Sequence, residues 1–150
     1  MSISRKYIGV EYDEITQYRL RNWCYNNGFD IEHSYSGKNI NPLNFRFHTT
    51  LIYSVNQLSF KNQVIYFNKS HSVIANDLIY ITDNIPVIKI ESNYLRDTIK
   101  HYENLGAQHS YDDNLMHISL SYYTNKDISH IQLPDFNLLF NKLYIEDIDE

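Results

Sequence analysis

The sequence predicts an α+β protein. Seven segments read as strands from their two-residue alternation or their β-branched and aromatic content. Two longer segments carry apolar residues at helical spacing, and they fall between strands rather than together at one end. No Gly/Ser linker and no charge block divides the chain, so residues 1–150 read as a single domain. With 43% hydrophobic residues, 15% aromatics and 14 Tyr, the chain has enough apolar surface to build a core, which disordered chains lack.

Tyr7-Ile-Gly-Val-Glu-Tyr12 alternates and is rich in β-branched and aromatic residues, which predicts the first strand. Asp13 or Thr16 can cap the helix that follows, with Ile15, Tyr18, Leu20, Trp23 and Cys24 at helical spacing and Asn26-Asn27-Gly28 as its stop. Residues 29–43 hold the turn-forming Ser36-Gly37-Lys38-Asn39 and Asn41-Pro42, so they read as a long loop. Strands follow at 45–54, 63–67, 77–82 and 86–91. A second helix spans 93–105, with Tyr94, Leu95, Ile99, Tyr102 and Leu105 on or near one face and Gly106 ending it. Strands at 115–123 and 138–148 complete the chain before an acidic tail, Glu146 to Glu150.

Charge and cysteine content narrow the function. The 13 Lys+Arg against 18 Asp+Glu leave a net charge of −5, and the pI of 5.7 lacks the basic face with which proteins grip long nucleic acids. The single cysteine, Cys24, supports neither an internal disulfide nor a cysteine-based zinc site and reads as a buried helix residue. The first residues lack the h-region of a signal peptide, and no window approaches the roughly 18 apolar residues of a membrane span. A cytoplasmic protein without membrane contact is the expectation.

Two segments carry the chemistry. Phe47-His48-Thr49-Thr50-Leu51 and Met116-His117-Ile118-Ser119-Leu120 share one pattern: apolar, His, any residue, hydroxyl, Leu. Each lies in a predicted strand after a turn-rich stretch, and they stand nearly half a chain apart, as in a diverged internal duplication. Strand parity sends His48 and Thr50 to one face and Phe47, Thr49 and Leu51 to the other. It does the same for His117 and Ser119 against Met116, Ile118 and Leu120. Two imidazole–hydroxyl couples, brought to one cleft, suit phosphodiester cleavage. One neutral imidazole takes a proton from the attacking oxygen and one protonated imidazole gives a proton to the leaving oxygen. The hydroxyls donate to phosphoryl oxygens as charge builds on them. The scheme needs no metal and no cofactor.

The paired H-x-[ST] motifs, His48-Thr49-Thr50 and His117-Ile118-Ser119, resemble those of the 2H phosphoesterase superfamily. Size and motif spacing look most like its phage anti-CBASS phosphodiesterases, which degrade the cyclic oligonucleotides that bacteria make as an infection alarm. The resemblance implies a two-lobed fold with pseudo-two-fold antiparallel sheets forming a concave cleft and helices packed outside. It implies His48 and His117 as the catalytic pair, with Thr50 and Ser119 on the phosphate. The substrate would be a 3′–5′-linked cyclic di- or trinucleotide, opened by its own 2′-hydroxyl through a 2′,3′-cyclic phosphate. The enzyme would act as a monomer in the infected cell. In the family an N-terminal Tyr and a C-terminal Glu help hold an adenine, and Tyr12 and Glu146 are the matching positions here. Trp23 is the single tryptophan and stands early, so no mid-chain Trp is present to stack a base and tyrosines would have to serve.

Other residues carry less. Arg46 shares the face of His48 and Thr50 and is a candidate phosphate contact or a rim salt bridge. Lys38 in the long loop could close over a ligand. Asp112-Asp113 reads as a solvated turn. His33, His71, His101, His109 and His130 show no paired pattern and no H-x-x-x-H, so no metal site is expected. Two functions compete with the leading one: a 2H enzyme that opens 2′,3′-cyclic phosphates on RNA, and a non-catalytic sponge for cyclic nucleotides.

Overall fold

A computed structural model of the chain describes residues 3–110 and 115–148. The Tyr111–Asn114 turn, with Asp112-Asp113, and the last two tail residues lie outside the described residues. In chain order the elements are β1 (Ser4–Tyr12), α1 (Glu14–Asn26), a short 3-10 turn (Pro42–Asn44), β2 (His48–Leu58), β3 (Gln63–Thr82), β4 (Ile85–Glu91), α2 (Asn93–Asn104), β5 (His117–Ser119) and β6 (Leu138–Asp147).

The strands form one six-stranded sheet in the order β2-β1-β6-β3-β4-β5, antiparallel at every step. Its edge strand β2 forms a seam with residues 108–110, which precede β5 in the chain. Val55 N–H donates to the Gln108 carbonyl at 2.8 Å and Ser110 N–H to the Tyr53 carbonyl at 2.9 Å. Ser54 and His109 form an antiparallel bridge between these bonds. The sheet therefore curls into a nearly closed, barrel-like form, which satisfies backbone groups that an open edge would leave unpaired.

This corrects the expected α+β, two-lobed fold with a concave cleft between pseudo-symmetric sheets. The described residues are 44% strand and 20% helix, with two α-helices. The physical reason is β3. The expected strands at 63–67 and 77–82 are parts of one 20-residue strand. Its first part pairs with β6 and its second with β4. The register jumps between Tyr66 and His71, so Asn68-Lys69-Ser70 bulges out without ending the strand. One strand thus joins what would otherwise be two sheets.

Local signals explain the elements. Asp13 caps α1, its carboxylate accepting from Thr16 N–H at 2.9 Å, and Gly28 (φ 74°) follows its end. Ser92 caps α2 in the same way through Leu95 N–H at 3.1 Å. Leu20 and Cys24 of α1 and Leu95 and Ile99 of α2 join one buried cluster with Ile8, Val10, Leu51, Phe140, Leu143 and Ile145 of the sheet. Both helices thus cover the same face. Ile15 and Tyr18, expected on the apolar face of α1, are exposed, and Thr16 and Gln17 are buried instead. Gln17 spans the break between elements: its Nε2 donates to the carbonyls of Tyr12 (3.0 Å) and Phe47 (2.7 Å), and its Oε1 accepts from Phe47 N–H (2.8 Å). The expected strand at 115–123 contracts to the three residues of β5. Within the long loop, Glu32–Ile40 and Ser34–Lys38 backbone bonds fold 32–40 back on itself, with Gly37 at φ 86° in its turn.

Candidate functional site

Strand parity sorts the site from the core. On β2 and its approach, Phe47, Thr49 and Leu51 are buried while His48 and Thr50 reach the surface. On β5 and its flanks, Met116, Ile118 and Leu120 are buried while His117 and Ser119 reach the surface. On β1, Ile8, Val10 and Tyr12 are buried and Tyr7 and Glu11 look the other way. The ladder then lines up two rows across four strands: His48–Glu11–Lys142–Tyr66 and Thr50–Gly9–Tyr144–Val64. At the other end of the sheet His117 stands opposite Lys89, and Lys89 opposite Asp77.

His48 and His117 belong to opposite ends of the strand order, and the curl of the sheet brings them within electrostatic reach. Burial holds the His48 pKa below its ordinary 6.5, and the charge of His117 acts in the same direction. Two interactions oppose this: a ring N–H of His48 donates to the Arg46 carbonyl, and the Glu11 carboxylate lies nearby. The balance leaves His48 neutral at pH 7, the form a general base needs. His117 repeats the backbone arrangement, its Nδ1–H donating to the Leu115 carbonyl at 3.0 Å. In both motifs the acceptor is the carbonyl two residues upstream. A carbonyl cannot donate, so the bonded nitrogen keeps its hydrogen, which fixes the tautomer of each neutral ring.

The motif hydroxyls each meet a tyrosine. Tyr7 Oη and Thr50 Oγ1 are joined at 2.7 Å. Tyr122 and Ser119 share a side-chain hydrogen bond. Burial raises the pKa of both phenols. Tyr7 also stacks on Tyr144 at 5.6 Å and hydrogen-bonds to it. The Tyr122 phenol lies close enough to bear on the titration of Tyr7.

Glu146 lies opposite Tyr7 in the ladder, is exposed, and its charge acts on both Tyr7 and Tyr144. Tyr12 is elsewhere. It is 1% exposed, its hydroxyl is bonded to Thr49 Oγ1 at 2.8 Å, and its ring packs edge-on to Phe140. The expectation that it contacts a base is corrected: the parity that buries Ile8 and Val10 buries Tyr12 too. Arg46 takes the rim salt bridge, with Nη2 at 2.5 Å from Glu11 Oε1 and 2.7 Å from Glu14 Oε1. Its charge is offset by two carboxylates and it does not stand ready for a phosphate. Lys38 is exposed in its turn, with its backbone N–H on Ser34 Oγ at 3.3 Å.

Sequence reasoning missed Tyr7, Tyr122, Tyr144 and Glu11. The signal for Tyr7 and Glu11 was present, because they have the opposite parity to Ile8 and Val10 in a segment already read as a strand. Tyr144 has the parity of Glu146 on β6. Tyr122 follows β5 in irregular chain, and no sequence period points to it.

No helix of the described residues is long and apolar enough to cross a membrane. Comparison with curated proteins gives no match. The family profile of the anti-CBASS protein Acb1 matches residues 5–150. That span takes in all but four residues, both histidine motifs and every strand but the first residue of β1. The chain therefore belongs to the Acb1 family of anti-CBASS proteins.

Proposed function

We propose that this protein evades CBASS immunity as a phage phosphodiesterase of the 2H type, cutting the 3′–5′ bonds of cyclic di- or trinucleotide signals in the infected cell. What supports the reading is that the nearly closed sheet brings His48 within electrostatic reach of His117, with each ring tied by an N–H to the carbonyl two residues before it. In the first step neutral His48 takes the 2′-hydroxyl proton, and the 2′-oxygen bonds to phosphorus as the bond to the 5′-oxygen breaks. Protonated His117 gives its proton to that leaving oxygen. In the second step water attacks the 2′,3′-cyclic phosphate, the bond from phosphorus to the 2′-oxygen breaks, and the histidines exchange roles. Thr50 and Ser119 donate to the non-bridging oxygens. Tyr7, with Tyr144 and Glu146 beside it, takes the place first assigned to Tyr12 at the base.

The test is turnover of a cyclic dinucleotide against a linear oligoribonucleotide ending in a 2′,3′-cyclic phosphate, with EDTA present. The reading expects the ring to be cut. Replacing either histidine, His48→Ala or His117→Ala, should slow cleavage by roughly 10²–10⁴-fold while binding persists. Turnover of the linear RNA alone would assign the protein to RNA repair chemistry. Unchanged ligand depletion by the double mutant would make it a sponge.

A further inference from the structure

We propose that Tyr7 and Tyr122 are positioning residues that orient the hydroxyl hydrogens of Thr50 and Ser119 onto the scissile phosphoryl group. The inference rests on the phosphodiesterase reading and deepens it. A threonine or serine hydroxyl has one hydrogen and can rotate. If it donates to a neighbour, it turns lone pairs toward the anionic phosphate and repels it. If it accepts from a neighbour, its one hydrogen is free for the phosphoryl oxygen. Tyr7 Oη sits 2.7 Å from Thr50 Oγ1 and can be that donor. Ser119 in turn hydrogen-bonds the side chain of Tyr122. A phenol is the more acidic partner and hence the better donor. The chain extends further on one side, because Tyr144 is in turn bonded to Tyr7. Such a run aligns from Tyr144 through Tyr7 and Thr50 once an anion sits at its end, and each bond polarises the next.

A second observation is independent of these bonds. Gly9 lies inside β1 without the positive φ that would demand glycine, although glycine weakens a strand. A Cβ there would stand 2.7 Å from Tyr7 Cε1 and 3.1 Å from the hydroxyls of Tyr7 and Tyr144. The missing side chain makes room for the Tyr7 ring to lie across the strand and reach Thr50. On the other half, Tyr35 (5.4 Å) and Phe45 (5.8 Å) pack against the Tyr122 ring and fix its direction. Burial keeps both phenols protonated beyond their ordinary range, so they remain donors at neutral pH.

The experiment is a double-mutant cycle on kcat for cyclic dinucleotide cleavage, using Tyr7→Phe and Thr50→Val, repeated with Tyr122→Phe and Ser119→Ala. Each phenylalanine variant should lower kcat about tenfold with KM little changed, the size of one hydrogen bond. In the Thr50→Val or Ser119→Ala background the same change should cost nothing more, because no hydroxyl is left to orient. Gly9→Ala, which leaves every hydroxyl in place but displaces the Tyr7 ring, should reproduce the Tyr7→Phe loss. Multiplicative losses in the cycle, or a rise in KM alone, would overturn the proposal and make the Tyr7 hydroxyl a ligand contact in its own right. Should the wild-type protein cut no cyclic nucleotide, the functional reading fails separately. The cycle is then read on the affinity for inorganic phosphate by ³¹P NMR titration, where coupling supports the proposal and additivity defeats it.

Discussion

Tyr12 offers a clean test of how core and site divide along β1. Its hydroxyl is enclosed with Thr49, which is 0% exposed, and the two share a 2.8 Å hydrogen bond. Tyr12→Phe deletes one oxygen and leaves the ring to fill its space. What is lost is the bond itself, together with the satisfaction of the buried Thr49 hydroxyl. Stranding a buried polar group costs about 1–3 kcal/mol. For a domain of this size each kcal/mol moves Tm by roughly 2–4 °C, so a fall of about 2–12 °C is expected. Thermal melts followed by circular dichroism read it, beside kcat and KM for a cyclic dinucleotide, which should both stay near wild type. Thr49→Val should destabilise similarly by stranding the phenol. The double variant should recover much of the loss, because removing both partners leaves neither unsatisfied. An unchanged Tm with a tenfold rise in KM would refute the reasoning and return Tyr12 to the ligand.

Four further outcomes are expected. Gln17→Ala strips three hydrogen bonds from the buried carbonyls of Tyr12 and Phe47 and the Phe47 N–H. It should cost about 2–4 kcal/mol in urea denaturation and reduce kcat as well, since Phe47 adjoins His48. A general base must be neutral, and burial lowers the His48 pKa, so the acid limb of the pH–rate profile should lie below pH 6.5; a limb above 6.5 assigned to His48 by its loss in a variant would contradict the burial argument. Lys6 and Ser4 hold the Asp147 carboxyl at about 2 rather than 3.8. The folded pKa is depressed, so its contribution to stability is present above pH 3.8 and is lost as pH falls through about 2, and urea midpoints of Lys6→Met should lack much of that dependence. Asn56 braces the seam of the sheet, donating to the Gly106 carbonyl at 2.7 Å and accepting from Gln108 N–H at 3.0 Å. Asn56→Ala should lower kcat by roughly tenfold although it touches neither motif, because the seam sets how the histidines face one another.

Much of the site could be read from period two alone. The pattern that buried Phe47, Leu51, Met116, Ile118 and Leu120 also put both histidines and both hydroxyls on the opposite face. Applied consistently to β1, it would have exchanged Tyr12 for Tyr7. What it could not reach were pairings between distant segments. Arg46 found Glu11 and Glu14 because β1 and the start of α1 lie beside the chain leading into β2, and nothing local to residue 46 shows that. The face of α1 was misjudged for a related reason. Gln17 is polar, yet it is buried because backbone groups at the ends of β1 and β2 needed its amide.

The error in fold class has a single root, and it bears on the chemistry. A repeat of two motifs suggests two equal halves, each with its own sheet. The elements are unequal: β2 runs for 11 residues and β5 for 3. The last strand, β6, inserts between β1 and β3, and β3 runs on from β6 to β4. Register jumps such as those at Ile8/Gly9, Glu11/Tyr12 and Tyr66/His71 bend and twist the sheet, and no alternation of side chains announces them. The two motifs therefore meet by closure of one sheet, at the ends farthest apart in strand order. A cleft between two lobes can open by hinge motion. The seam that β2 makes with residues 108–110 can open only by breaking the backbone bonds of Val55 and Ser110. Main-chain hydrogen bonds thus hold the sheet from which both His48 and His117 project.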